Sequence, residues 1–329
     1  MNENVPEGVR VAAAQTLGRI GGSAAAAALI NTLINDSSAA VREMAAKSLM
    51  GRLDGSTEAL VAALANDSSP GVRGAAAESL AWFVDSVGDS SEVEALVAAL
   101  ANDSSPSVRA RAAAALGRFG GRKAVEALVA ALANDRSPGV RARAAAALGL
   151  HSGRSAVEPL AAALANDRSP GVRARAAAAL GLHGGSKAVA ALIAALSDDS
   201  GRVRKAAAEA LSWLGDSSAV ESLAAALASD WDADVREAAA KALGWLGDSS
   251  EVESLAAALA NDRSPGVRAR AAAALGRLGG SQAVAALIAA LSDDSSRVRK
   301  AAAEALEELA RRGDGQVVAA LIDVLVNAA

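Results

Sequence analysis

Arginine and tryptophan are the residues of this chain whose types and spacing could recognise another molecule. Arg111, Arg143 and Arg175 recur every thirty-two residues, and Arg270 stands further along the same register. A guanidinium group matches a carboxylate or a phosphate with two parallel N–H bonds, so such a row could hold an anion. Trp82, Trp213 and Trp245 share a second register with Arg118 and Arg277, while Trp231 lies outside it. Tryptophan and arginine dominate the energetics of protein interfaces, so this register could anchor a partner. The structural alternatives are indoles that cover an alanine-rich surface and arginines that merely solvate it.

Catalytic chemistry has fewer candidates. His151 and His183 are the two histidines of the chain, and they too stand thirty-two residues apart. A metal centre would need a third ligand and a closer approach, and none is evident. Both occupy a position that other units fill with Phe119, Leu214, Leu246 or Leu278, which predicts inward or half-buried structural histidines. Cysteine and tyrosine are absent, and no nucleophile is paired with a base. The string from Gly181 to Lys187 resembles a phosphate loop only superficially, because it lacks the closing G-K-[ST]. No enzyme activity, metal or cofactor is therefore expected.

The totals of the 329 residues point away from an ordinary globular core. Hydrophobic residues make up 52%, yet aromatics only 2%, and alanine supplies most of the apolar count. Alanine forms helices well and lets them approach closely, but it cannot fill a wide core. The formal net charge of −4 argues against a general polyanion binder. No signal peptide and no apolar run of membrane-spanning length is visible, which predicts a cytoplasmic protein without membrane contact.

The elements that must position these residues are repeats. The string ANDRSPGVRARAAAALG occurs three times, beginning at Ala133, Ala165 and Ala260. A Val-Arg pair recurs with its arginine at Arg10, Arg42, Arg73, Arg109, Arg141, Arg173, Arg204, Arg236, Arg268 and Arg299. That is ten units of 31–32 residues, with one lengthened around Val84 to Gly88. Near-identical units arise by recent duplication or by consensus design, and the irregular stretch Ser79 to Ser91 favours duplication.

Each unit reads as two short helices. Ser69, Ser105, Ser137, Ser169 and Ser264 precede proline, which predicts an N-cap followed by proline at the first helical position. Glycines such as Gly120 and Gly121 end this helix. The partner helix opens on an S-x-x-E pattern at Ser91, Ser155, Ser218 and Ser250, which predicts a capping box using Glu94, Glu158, Glu221 and Glu253. Such helices cannot bury their apolar faces alone, so the units must stack on one another.

An aspartate stands six residues before the Val-Arg arginine in nine units, from Asp36 to Asp293, and Asn4 replaces it in the first. This Asp-x5-Arg turn, followed by A-A-x-A-L-G-x-h-G, resembles HEAT repeats of the short bacterial type named after phycobilisome lyases. The resemblance covers essentially all of residues 1–329. It implies an all-α fold, a single α-solenoid domain of about ten two-helix repeats, with an Asp–Arg ladder along the turns and the Val-Arg helices lining the concave side. HEAT enzymes that hydroxylate deoxyhypusine carry His-Glu pairs for a di-iron centre, whereas here Ser152 and Gly184 follow the histidines. A lyase-like role on bilins is the third functional reading, with no recognisable pigment site.

Counting helix positions from the Val-Arg arginine as zero, at about 100° per residue, places −1, +3, +7 and +10 on one core stripe. Positions +1, +2, +5 and +9 are then free of stacking and, by the resemblance, face the groove. The +2 register carries Arg111, Arg143, Arg175 and Arg270, and the +9 register carries Trp82, Arg118, Trp213, Trp245 and Arg277. Glu78, Glu209, Glu237, Glu304 and Glu308 also occupy variable positions, so the surface is not uniformly basic. The expected function is a scaffold that binds a protein or acidic peptide through these residues, with nucleic-acid backbone binding second. At the ends, Val11, Leu17 and Ile20 open the array and Val318, Leu321, Ile322, Leu325 and Val326 close it. End-to-end self-association, ring closure or excision from a longer array would each account for such apolar ends.

Overall fold

The structure, a computed structural model, describes residues 5–51, 55–83, 90–151, 153–313 and 315–327, without the side chains of Arg154, Gln316 and residues 323–327. Asn4, the lengthening at Val84 to Gly88, Ser152 and the side chains of Leu325 and Val326 lie outside the described residues. The chain divides into two compact units, Met1–Ala163 and Leu164–Ala329.

Apart from short 3-10 turns, every regular element among the described residues is an α-helix, and the helices alternate between two kinds. In the first unit the Val-Arg helices are α1 (Glu7–Ile20), α3 (Ala39–Ser48), α5 (Pro70–Leu80), α7 (Pro106–Phe119) and α9 (Pro138–Leu148). Their partners are α2 (Ser23–Asn35), α4 (Ser56–Asn66), α6 (Ser91–Asn102) and α8 (Arg122–Asn134), and the division point falls in α10 (Val157–Asn166). In the second unit the Val-Arg helices are α11 (Pro170–His183), α13 (Gly201–Leu214), α15 (Ala233–Leu246), α17 (Pro265–Leu278) and α19 (Ser296–Arg311). They alternate with α12 (Ser186–Ala195), α14 (Val220–Ser229), α16 (Val252–Asn261), α18 (Ser281–Ala290) and α20 (Gly315–Asn327). Within each unit the odd helices pack directly on one another, each backed by its even partner, as stacked helix pairs.

The core follows the expected stripe. Val140, Ala144 and Leu148 of α9 are all buried, and so are Val108, Ala112, Leu116 and Phe119 of α7. Ala113 and Ala115 are buried too, because each odd helix is flanked on two sides by its own kind. Where glycine stands at +8, it sets the spacing. A methyl group added to Gly276 would lie 2.6 Å from the Ala305 Cβ, and one on Gly244 would lie 2.7 Å from that of Ala274. Helix axes come this near only where neither side projects beyond a Cβ.

The turns between units are built from charge. Arg204 donates from Nε and Nη2 to both oxygens of Asp230, at 2.6 and 2.8 Å, and from Nη1 to the Asp198 carbonyl at 2.9 Å. The arginine thus pairs with the aspartate of the following repeat, while the aspartate six residues before it supplies only a backbone carbonyl. The same bidentate pairing joins Arg42 to Asp67, Arg73 to Asp103 and Arg109 to Asp135 in the first unit. In the second it joins Arg173 to Asp198, Arg236 to Asp262 and Arg268 to Asp293. Each carboxylate also accepts the backbone N–H two residues on, as Asp67 does from Ser69.

Two capping expectations are corrected by these turns. Ser69, Ser105, Ser137 and Ser169 are N-caps by position, yet their side chains make no capping bond, and the preceding aspartate orders the turn instead. At Ser218 and Ser250 the expected capping box gives way to a 3-10 turn. There Asp216 and Asp248 accept the serine N–H at 3.0 and 2.8 Å. An aspartate two residues upstream wins because a carboxylate accepts more strongly than a hydroxyl.

Two expected outcomes follow from this packing. Arg204 and Asp230 have side chains only 6% and 7% exposed, so Asp230→Asn leaves an enclosed cation without its counter-charge. Urea unfolding should show a loss of about 2–3 kcal/mol, while Asp216→Asn at a solvated turn leaves the midpoint in place. Gly276→Ala should also destabilise, by about 1–2 kcal/mol, because its Cβ meets the next helix. Gly8→Ala, with open space around it, should stabilise by up to about 1 kcal/mol through helix propensity.

Candidate interaction surface

On an α-helix, +2 and +9 fall about 20° apart, some 100–120° from the centre of the core stripe. Both registers therefore share one strip of each odd helix. In the second unit the +9 residues run Leu182, Trp213, Trp245, Arg277 and Glu308, one from each consecutive odd helix. Trp213 and Trp245 are 55% and 60% exposed, and Leu182 is 61% exposed. In the first unit Trp82, Arg118 and Leu150 follow one another in the same register, and Trp82 and Leu150 are likewise exposed. Leu150 and Leu182 were legible at +9, but a leucine beside so many core leucines carries no signal of exposure.

The packing that spaces the helices also seats these side chains. A methyl group on Gly181 would lie 3.1 Å from Trp213, and one on Gly117 would lie 3.5 Å from Leu150. Leu150, Trp213 and Arg277 thus rest over the +8 glycines of the preceding helices, Gly117, Gly181 and Gly244, whereas Ser212 stands at +8 before Trp245. Where arginine follows tryptophan in the register, the two stack: Arg118 sits 4.5 Å from the centre of the Trp82 ring, and Arg277 sits 4.0 Å from that of Trp245. Arg118 also donates to the Ala81 carbonyl at 2.9 Å. These contacts fix the angle of the indoles without hiding them.

The +2 arginines do not behave alike. Arg111 pairs with Glu78 at 3.3 Å, and Arg270 pairs with Glu237 at 3.4 Å. Arg143 and Arg175 are exposed. A depression of about 230 Å³ across α13, α15 and α17 is lined by Lys205, Glu209, Asp234, Glu237, Lys241 and Arg270. Its charges alternate in sign, and Lys205 pairs with Asp234 at 2.8 Å. Such a surface reads hydrogen-bonding groups of both signs better than a uniform polyanion.

On the side of the even helices, Trp231 is 76% exposed and lies 4.7 Å from the Arg204 guanidinium. It borders a groove of about 880 Å³ between α14 and α16. His151 is buried and His183 half-buried. Among the described residues, no three histidine, aspartate or glutamate side chains come together as metal ligands would. No described helix is long and apolar enough to cross a membrane.

A family model of HEAT repeats matches overlapping stretches, 3–81, 27–100, 57–149, 93–168 and 157–244, and again 252–329. A model of the PBS lyase HEAT-like repeat matches residues 235–261. No curated protein matches the chain in sequence. Among solved structures, yeast importin-beta (Kap95p) superposes with a TM-score of 0.64 at 15% identity, over 89% of this chain and 47% of that one. Kap95p in its RanGDP complex gives 0.63 at 15% identity, over 91% and 47%. The Escherichia coli protein YibA gives 0.55 at 20% identity, over 85% and 100%. The chain thus spans about half the length of importin-beta, and at these identities the likeness is one of fold.

All four tryptophans are more than half exposed, so acrylamide should quench their emission in one accessible population. A shielded fraction in the native chain would contradict the placement of the +9 register.

Proposed function

The chain belongs to the HEAT-repeat family, whose repeats generally bind proteins, and on that premise we propose that it is a non-enzymatic scaffold. Its partner, a protein or peptide, lies on the concave side along the free strip of the odd helices. The observation that carries this reading is the run of Leu182, Trp213 and Trp245 on three consecutive helices, each more than half exposed. Large apolar side chains in a row leave water-accessible surface that only a partner would cover, and tryptophan returns the most on burial. The Gly181 seat under Trp213 and the Arg277 stack on Trp245 hold the strip ready, which lowers the entropic cost of binding.

Nucleic-acid binding through a row of +2 arginines is the weaker alternative. Arg111 and Arg270 already have carboxylate partners, which leaves Arg143 and Arg175 to carry such a row. The two readings differ in salt response, since phosphate contacts weaken steeply with ionic strength.

Random twelve-residue peptides displayed on phage and selected on the chain provide ligands for a test. Trp213→Ala combined with Trp245→Ala should weaken the selected peptides by more than ~2 kcal/mol with helicity unchanged. Unchanged affinity would overturn the proposed site, and a steep salt dependence without loss on substitution would favour the arginines.

A further inference from the structure

Arg277 differs from the paired ladder arginines in having no counter-charge. It is half-buried, and among the described residues no carboxylate pairs with it. The acids nearby are already engaged. Glu237 takes Arg270 at 3.4 Å and Arg297 at 3.3 Å, while Glu308 takes Arg311 at 2.7 Å and Arg312 at 3.0 Å. Burial lowers the Arg277 guanidinium from its usual value, and the charges of Arg270 and Arg312 lower it further. One of its donors, Nη1, is enclosed without a hydrogen-bond partner, 3.5 Å from where a methyl on Gly244 would sit. A half-buried cation with two like neighbours and no counter-charge is a site that an incoming anion would stabilise.

The neighbourhood defines that anion. Stacking on Trp245 covers one face of the guanidinium plane, so its remaining hydrogen bonds lie along the edge, where a carboxylate fits. A polyanion would next meet Glu308 in the same register and Glu237 beside Arg270, so a phosphate chain is disfavoured where a single acidic group is not.

We propose that Arg277, flanked by Arg270 and Arg312 and backed by Trp245, receives one acidic side chain of a peptide whose apolar residues lie on Leu182, Trp213 and Trp245. This inference rests on the scaffold reading and adds the chemistry and polarity of the ligand to it. Neighbouring helices about 8–10 Å apart set the interval. An extended peptide rises roughly 3.3 Å per residue, so the acid falls about three residues beyond the apolar residue that packs on Trp245.

The phage-selected peptides decide it. They should be enriched in aspartate or glutamate about three positions from an apolar cluster. Calorimetric titration should show that Glu→Gln in the peptide, or Arg277→Gln in the protein, each weakens binding about tenfold. The two losses should not add, because they remove one contact. Arg263→Gln, an exposed arginine on the even-helix side, should leave affinity unchanged, and circular dichroism checks that each variant keeps its helices. Peptides that need Trp213 and Trp245 but neither an acid nor Arg277 would overturn this inference and leave the scaffold reading standing. Peptides that need none of these residues, or a selection that yields no peptide, would overturn both.

Discussion

Every described junction between repeats within a unit is crossed by a two-pronged contact from one arginine to the aspartate of the next turn. The contact is short, bidentate and largely enclosed, and the same arginine donates to the backbone of its own turn. It therefore ties its own turn to the turn of the next repeat, 25–30 residues further along the chain. An alanine-rich helix pair offers little shape to tell one stacking register from another, and van der Waals contact alone would leave neighbouring repeats free to slide. A guanidinium that must meet two oxygens in one plane removes that freedom. Burial alone would raise the aspartate carboxyls. The arginine hydrogen bond, the N–H two residues on and the flanking positive charges outweigh it and hold them below their usual value.

With register fixed at the turns, the helices can approach until glycine meets alanine, and that approach determines what the surface can display. Where +8 is glycine, as at Gly117, Gly181 and Gly244, it leaves a shallow seat for the +9 side chain of the next helix. In the second unit the +9 residues change from leucine through tryptophan to arginine and then glutamate. Stability and recognition are thereby separated along each helix. Positions −1, +3 and +7 stay valine, alanine and leucine because stacking requires it, while +2 and +9 vary. Such separation is what a binding scaffold needs, since its ligand preference can change while its fold does not.

Much of this was legible in the residues themselves. The Val-Arg period gave the helix pairs, and the phase of Val140, Ala144 and Leu148 gave the buried face, because a helix has a known angle per residue. The exposure of Trp213 and Trp245 followed from the same angle. What periodicity does not carry is the identity of the residue across a gap. It therefore left open that each arginine reaches forward to the next aspartate, and that Gly244 faces Ala274. The S-x-x-E spacing points to serine as the cap at Ser218 and Ser250, where the stronger carboxylates of Asp216 and Asp248 accept the N–H instead. The isolation of Arg277 was likewise invisible, because it depends on Glu237 and Glu308 being claimed by other cations.

The ladder is tested most directly by titrating its aspartate carboxyls, followed by carbon NMR, alongside helicity. A carboxyl whose folded value is depressed lends stability that is complete above its unfolded value and is lost as pH falls through the folded one. Midpoints should lie below the ordinary 3.8 for Asp67, Asp103, Asp135, Asp230 and Asp262, and at about 2 for Asp293. Helicity should hold down to about pH 4 and fall between there and about pH 2. Carboxyls that titrate at or above 3.8 while the helices stay intact would contradict the ladder's role.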